Sequence, residues 1–149
     1  MDVSIQEAKE QDLPAIIDLY KQLDVSKSEP LSIEDATQIF RKINTYPDYK
    51  LYVAVKDSQT VGTFTLLIMD GLAHQGKPSG IVEGVVVDEQ WRGKGVGKLM
   101  MQFAMDYCKR TGCSKLALSS NMKRVAAHQF YESLGFQKHG YSFRVDIES

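Results

Sequence analysis

Long basic runs and long apolar runs are both missing from this chain, and cysteine is scarce. No block of Lys or Arg stands anywhere in its 149 residues, and the formal net charge is −1. Nucleic acid binding therefore has no electrostatic footprint. The longest apolar runs, such as Leu66-Leu67-Ile68-Met69, are far too short to span a bilayer as a helix, so no membrane association is expected. The two cysteines, Cys108 and Cys113, read as reduced, partly buried thiols. A disulfide would have to join a helix end to the loop after it, and a metal site would want ligands that are not nearby, so no metal is expected. The opening Met1-Asp2-Val3-Ser4-Ile5-Gln6-Glu7 is mixed and acidic, unlike a signal peptide, and the expected location is cytoplasmic. Internal repeats, low-complexity tracts and linkers are also missing. With 43% hydrophobic and 25% charged residues, the chain reads as one globular domain over 1–149.

What is there is an interleaving of strand and helix patterns. Val3-Ser4-Ile5 reads as a short strand. Asp12 is placed to cap a helix that takes Pro14 in its first turn and turns Leu13, Ile16, Ile17, Tyr20 and Leu23 to one side. Ser32 and Asp35 resemble a capping box for a second helix with Ile33, Ala36, Phe40 and Ile43 inward. Leu51–Val55 and Val61–Ile68 flank the polar Asp57-Ser58-Gln59-Thr60 as a hairpin. A loop from Asp70 to Ser79 leads to a strand over Ile81–Val87. A helix from Val96 is stopped by Gly112, and Lys115–Leu118 is a further strand. Ala126, Ala127, Phe130, Tyr131 and Leu134 mark a last helix closed by Gly135. The tail Tyr141–Ile147 alternates like a final strand. The class is α/β or α+β with a mixed sheet.

Between strand and helix lies Arg92-Gly93-Lys94-Gly95-Val96-Gly97-Lys98. A strand, a glycine turn and a helix start can bind phosphate, because backbone amides converge there and the helix dipole puts about half a positive charge at its N-terminus. The glycines spare the pyrophosphate a steric block. The spacing is neither of two common versions. The dinucleotide fingerprint needs G-x-G-x-x-G and finds G-x-G-x-G. The P-loop needs glycine at the position of Arg92 and Ser or Thr at that of Leu99. Taken by itself the loop is equally readable as a turn that lets helix and strand pack closely.

Arg92-x-x-Gly95-x-Gly97 resembles the R/Q-x-x-G-x-G/A motif of the GNAT N-acetyltransferases. His128-Gln129-Phe130-Tyr131-Glu132-Ser133-Leu134-Gly135-Phe136 is similar to that superfamily's closing motif, Phe-Tyr followed by three residues and Gly-Phe. The interval of one helix and one strand also fits, and the resemblance is strong over roughly residues 80–143. It implies a largely antiparallel central sheet whose fourth and fifth strands, here Ile81–Val87 and Lys115–Leu118, splay apart, with about four flanking helices. Acetyl-CoA would lie in the cleft as cosubstrate. Backbone groups of Val85 and Val87 would pair with pantetheine, and the amides of Gly93, Lys94, Gly95, Val96, Gly97 and Lys98 would hold pyrophosphate. Lys94 and Lys98 either add charge there or are solvated. Many members carry Asn seven residues before the tyrosine. Here Arg124 stands at that position and Asn121 three residues earlier, so the pantetheine contact is carried over to Asn121.

The chemistry implied is N-acetylation. An alkyl amine with a pKa of about 10.4 is almost fully protonated at pH 7, and freeing it costs about 4–5 kcal/mol, so a base is expected. Glu83 is the candidate. In a regular strand it shares a face with Val85 and Val87, and a carboxylate in that apolar run needs a reason. It would alternatively sit at the strand's exposed start or only bind the acceptor's charge, and a bulge would change its facing. Tyr131 is singled out by the resemblance as the acid toward the departing thiolate. A phenol at about 10 against a thiol at about 8.5 makes full transfer uphill by about 2 kcal/mol, so a hydrogen bond to the developing anion is easier. His128 is a second, weaker base candidate. No partnered cysteine points to a covalent intermediate. The acceptor is expected to be a small-molecule amine, attacked directly in a ternary complex, and a homodimer is compatible with the sequence. The run Ile81–Val87 resembles small members that acetylate sugar-phosphate amines or aminoalkylphosphonates, whose anionic group Lys123 and Arg124 would meet. Protein N-terminal or lysine acetylation is the first alternative. A non-catalytic acyl-CoA sensor is the second, and the presence of both Glu83 and Tyr131 argues against it.

Overall fold

The β-branched and aromatic runs on either side of Asp57-Ser58 pair as a long antiparallel hairpin, β2 (Tyr49–Lys56) with β3 (Gln59–Met69). Asp57 and Ser58 both take positive φ, 49° and 64°, which matches the twist of a two-residue hairpin turn. The turn is thus tighter than the four polar residues suggest, and Gln59 and Thr60 already belong to β3. Around this hairpin a computed structural model describes residues 2–23 and 29–147. They fall into two compact units, one up to Ala117 and one from Leu118 onward.

In the first unit, β1 (Ser4–Glu7) pairs antiparallel with β2, and β4 (Ser79–Val87) pairs antiparallel with β3. The strand order is β1-β2-β3-β4-β5, with β5 over Lys115–Leu118, giving an open mixed sheet. Helix α1 (Leu13–Tyr20) and α2 (Ile33–Ile43) cover one face, where Leu13, Ile16, Ala36 and Phe40 pack with Leu51 and Val53. Helix α3 (Val96–Arg110) covers the other, where Phe103 meets the stacked rings of Tyr52 and Phe64. Cys108 is buried and Cys113 half-buried, both with free thiols.

Several local expectations are adjusted. Asp12 occupies the N-cap position of α1, but its carboxylate accepts from the Lys9 amide at 2.8 Å, closing a short 3₁₀ turn over Glu10–Asp12. Leu19 is as buried as Leu13, a second apolar stripe the single-face pattern missed. Ser32 does cap α2, its hydroxyl accepting from the Asp35 amide at 3.2 Å, whereas Ile33 is exposed because it sits in the helix's first turn, outside the packed face. The Asp70–Ser79 loop includes a 3₁₀ turn at His74–Gly76, and Ser79 already starts β4.

In the second unit α4 (Val125–Ser133) ends as expected at Gly135, whose φ is 97°. The tail departs from its alternating pattern. Residues 141–147 form no strand, and Tyr141, Phe143, Val145 and Ile147 are all exposed, because alternation supplies a face but not a partner strand. Among the described residues, no helix is long and apolar enough to cross a membrane.

Candidate active site

The glycine loop is shaped by what it is tied to. After β4 the chain makes a 3₁₀ turn over Glu89–Trp91, held by the Asp88 carboxylate, which accepts from the Gln90 amide at 3.0 Å. The Arg92 Nε donates to the Val87 carbonyl at 3.1 Å, folding the loop back onto the end of the strand. Gln22, just past α1, accepts from the Glu89 amide at 3.0 Å and from Arg92 Nη2 at 3.4 Å. Gly93 and Gly95 then adopt φ of 75° and 90°, and Gly95 is the N-cap of α3. Only glycine holds such values without strain. A Cβ on Gly93 would meet no atom within 4 Å, so open space lies beside the backbone at the head of a 15-residue helix. These residues fit a pyrophosphate by their amides and the helix dipole. Lys94 lies over the Trp91 ring at 5.1 Å, so its charge is held beside the loop. Lys98 is exposed on the first turn of α3.

The strand leading to the loop is not regular. Thr65 stands opposite Glu83 and Thr63 opposite Val86, so Gly84 and Val85 together face the single residue Phe64. That is a β-bulge, accommodated by Gly84 at a φ of 61°. It overturns the expected common face of Glu83, Val85 and Val87. Val87 is opposite Gly62, where a Cβ would strike the Met100 sulfur of α3 at 2.9 Å. Glu83 is opposite Thr65, on the α1 and α2 face of the sheet with Leu51. Val85 is lifted out of the β3 ladder.

Glu83 is exposed and lines an open cavity of about 600 Å³ between α1, α2 and the sheet. Tyr20, Tyr49, Thr65 and Gly84 share this wall. The Tyr20 phenol is pushed up to about 12 by burial and by the nearby Tyr49. Tyr49 is also raised, first by burial and then by the negative charge of Glu83. Both phenols therefore stay protonated at neutral pH and serve as hydrogen-bond groups rather than bases.

In the second unit, Asn121 and His128 meet at the start of α4, and Tyr131 lies nearer its end. The Asn121 side-chain oxygen accepts from the Lys123 amide at 2.9 Å. Its carbonyl accepts from the Arg124 amide at 3.0 Å and lies 2.7 Å from His128 Nε2. With Nε2 as donor to that carbonyl, neutral His128 keeps Nδ1 as its only basic position. Tyr131 is buried, edge-on to Phe136 at 5.7 Å and tilted on Phe130 at 5.2 Å. Burial raises its phenol, an effect that Arg124 partly offsets.

The geometry thus brings Val87, Arg92, Gly93 and Gly95 together at the head of α3, gathers Glu83 with two tyrosines at the cavity, joins Asn121 to His128, and sets Tyr131 within reach of the Arg124 charge. Sequence reasoning missed Gln22, Tyr20, Tyr49 and Thr65. Gln22 and Thr65 carry no local signal, Tyr20 falls on the packing stripe of α1, and Tyr49 precedes the β-rich run Leu51–Val55.

A glycine turn at a helix N-terminus, reached from a bulged strand, is a place where a phosphate-bearing group can be held. The family model of the acetyltransferase (GNAT) family matches residues 14–136, and the chain belongs to that family. It is 29% identical over 148 residues to glucosamine 6-phosphate N-acetyltransferase of Trypanosoma brucei brucei, covering 99% of this chain and 97% of that one. To the enzyme of the same name from Arabidopsis thaliana it is 32% identical over 123 residues, 80% of this chain and 78% of the other. The crystal structure of glucosamine-6-phosphate N-acetyltransferase from Arabidopsis thaliana superposes with a TM-score of 0.86 at 26% identity, covering 99% of this chain and 100% of that chain. The chain is an N-acetyltransferase, and GNAT acetyltransferases use acetyl-CoA as cosubstrate.

Proposed function

We propose that this enzyme transfers the acetyl group of acetyl-CoA to the primary amine of a small metabolite, by direct attack in a ternary complex. The observation that carries the reading is the pair of left-handed glycines, Gly93 and Gly95, at the N-terminus of α3, with open space beside Gly93. Backbone amides from Gly93 to Lys98 would hold the pyrophosphate, with Lys98 and the ring-held Lys94 adding charge. Val85, released from the ladder by the bulge, would pair with pantetheine. The Val87 carbonyl would share that task while already accepting from Arg92. The family motif assigns Asn121 a pantetheine contact as well.

Glu83 would take the proton of the acceptor ammonium, directly or through water, at the wall of the cavity. Tyr131, held protonated by burial, would donate a hydrogen bond to the sulfur as negative charge develops there. Residues 1–149 would act as one domain, a reading supported by a family match that runs unbroken from 14 to 136. A cytoplasmic location fits its substrate class. The relatives named for glucosamine 6-phosphate support a small amine as acceptor.

The test combines binding and turnover. Millimolar acetyl-CoA should raise Tm, and a panel of primary amines should release free CoA thiol. No Tm shift and no thiol release with any amine would overturn the reading.

A further inference from the structure

The cavity beside Glu83 carries information about what the acceptor looks like. Its walls are chiefly hydrocarbon, with Leu13, Ile17, Leu31, Ile39, Phe40 and Ile43 contributed by α1, α2 and the segment before α2. Leu31 and Ile39 line it yet stay 47% and 48% exposed, so apolar surface there is left for a ligand to cover. The volume of about 600 Å³ suits a small organic molecule.

The charges around it have a sign. Among the described residues that line the cavity, the acidic ones are Glu29 and Glu83 and the basic one is Lys21. Lys21 is already paired with Asp18 at 3.1 Å. Among the described lining residues a phosphate would meet one lysine, shared with Asp18, against two carboxylates and apolar walls. An ammonium finds the reverse: a carboxylate on the sheet wall, two protonated phenols beside it, and hydrocarbon for the rest of the molecule.

We propose that the acceptor is a primary amine with an apolar body, an arylalkyl or branched alkyl amine, and not the sugar phosphate for which the relatives are named. The inference rests on the acetyl-transfer reading and names the substrate class of that same site. The ammonium meets Glu83, and the apolar body lies along α1 and α2 against Leu31, Ile39 and Phe40.

The experiment uses the full chain at saturating acetyl-CoA and measures thiol release with 2-phenylethylamine and with glucosamine 6-phosphate. The expected result is a kcat/KM at least 10-fold higher for 2-phenylethylamine. Ile39→Ser, an exposed position that leaves the fold intact, should lower that kcat/KM about 5- to 10-fold through KM, with the acetyl-CoA Tm shift unchanged. An equal or higher kcat/KM for glucosamine 6-phosphate overturns the assignment of class while acetyl transfer stands. So does an acetyl-CoA Tm shift with no turnover of 2-phenylethylamine, or turnover of it that neither Ile39→Ser nor Leu31→Ser alters. Loss of both the Tm shift and all thiol release is a different failure: it overturns the acetyl-transfer reading and takes this inference with it.

Discussion

Thr65 stands opposite Glu83 in the β3–β4 ladder, and its hydroxyl donates to the Glu83 carbonyl at 3.0 Å. The backbone of Glu83 is thus pinned immediately before the bulge, while its carboxylate stays exposed at the cavity. Glu83→Gln keeps the size and the backbone bond but removes the base. The expected outcome is a kcat lower by about 10- to 100-fold with acetyl-CoA affinity nearly unchanged. In the parent enzyme, turnover should rise from pH 6 to 8 as a growing fraction of the acceptor amine sheds its proton. A variant that loses affinity and keeps kcat would mark Glu83 as a structural residue.

The loop prediction follows from Gly95, which caps α3 at a φ of 90°. Gly95→Glu adds a strained side chain and a negative charge where the helix amides converge. At 100 times its dissociation constant a ligand stabilises the fold by about 2.7 kcal/mol. The variant should lose that increment, read as the disappearance of the acetyl-CoA Tm shift. A normal shift would reduce the loop to a packing turn.

A further prediction concerns alkaline stability. The Tyr20 phenol titrates at about 12 in the fold, against an ordinary 10, because burial disfavours the phenolate. Below pH 10 it is neutral in both folded and unfolded chains and adds no pH dependence. Between pH 10 and 12 the unfolded chain releases the proton and the folded chain keeps it, so stability falls by about 1.4 kcal/mol per pH unit from this group. Tyr49, Tyr52, Tyr107 and Tyr131 are raised as well and steepen the decline. Tyr20→Phe should flatten the slope by about one proton's worth, measured as urea midpoints from pH 8 to 11.5. An unchanged slope would place the alkaline transition elsewhere.

The order of the elements was legible because each carries its own period and its own punctuation. The pattern of Val96, Met100 and Ala104 predicts α3, and Gly112, at a φ of 76°, stops it. The glycine loop was legible for the same reason, since the φ of 75° and 90° at Gly93 and Gly95 favours glycine. The bulge at Gly84-Val85 has no unique signature, because a glycine within a strand permits one without requiring it. Strand alternation is a two-residue rule, and one inserted residue reverses every facing beyond it. That is why Glu83 parted from Val87. The contributions of Gln22 and Thr65 were hidden because they arise from tertiary pairings across many residues of sequence. The tail failed in the other direction. Its alternation from Tyr141 to Ile147 is real, but a strand also needs a neighbour, and no local pattern supplies one.

Tyr131 is where motif and physics meet, and its hydroxyl is the part that can be removed cleanly. The ring lies edge-on to Phe136 and tilted on Phe130, contacts that phenylalanine would keep. Tyr131→Phe should therefore fold and bind acetyl-CoA as the parent does. Burial raises the phenol, with Arg124 opposing in part, so the hydroxyl is protonated throughout the working pH range and is a poorer acid than a free tyrosine. Passing its proton completely to a thiolate of ordinary basicity is uphill, whereas donating a hydrogen bond to the forming anion is not. The expected fall in kcat is about 10- to 1000-fold, the span for one lost transition-state donor, with residual activity remaining. The measurement is kcat at saturating amine, under conditions where chemistry limits the rate. A rate within twofold of the parent would assign Tyr131 to packing alone and pass stabilisation of the leaving sulfur to another donor or to water.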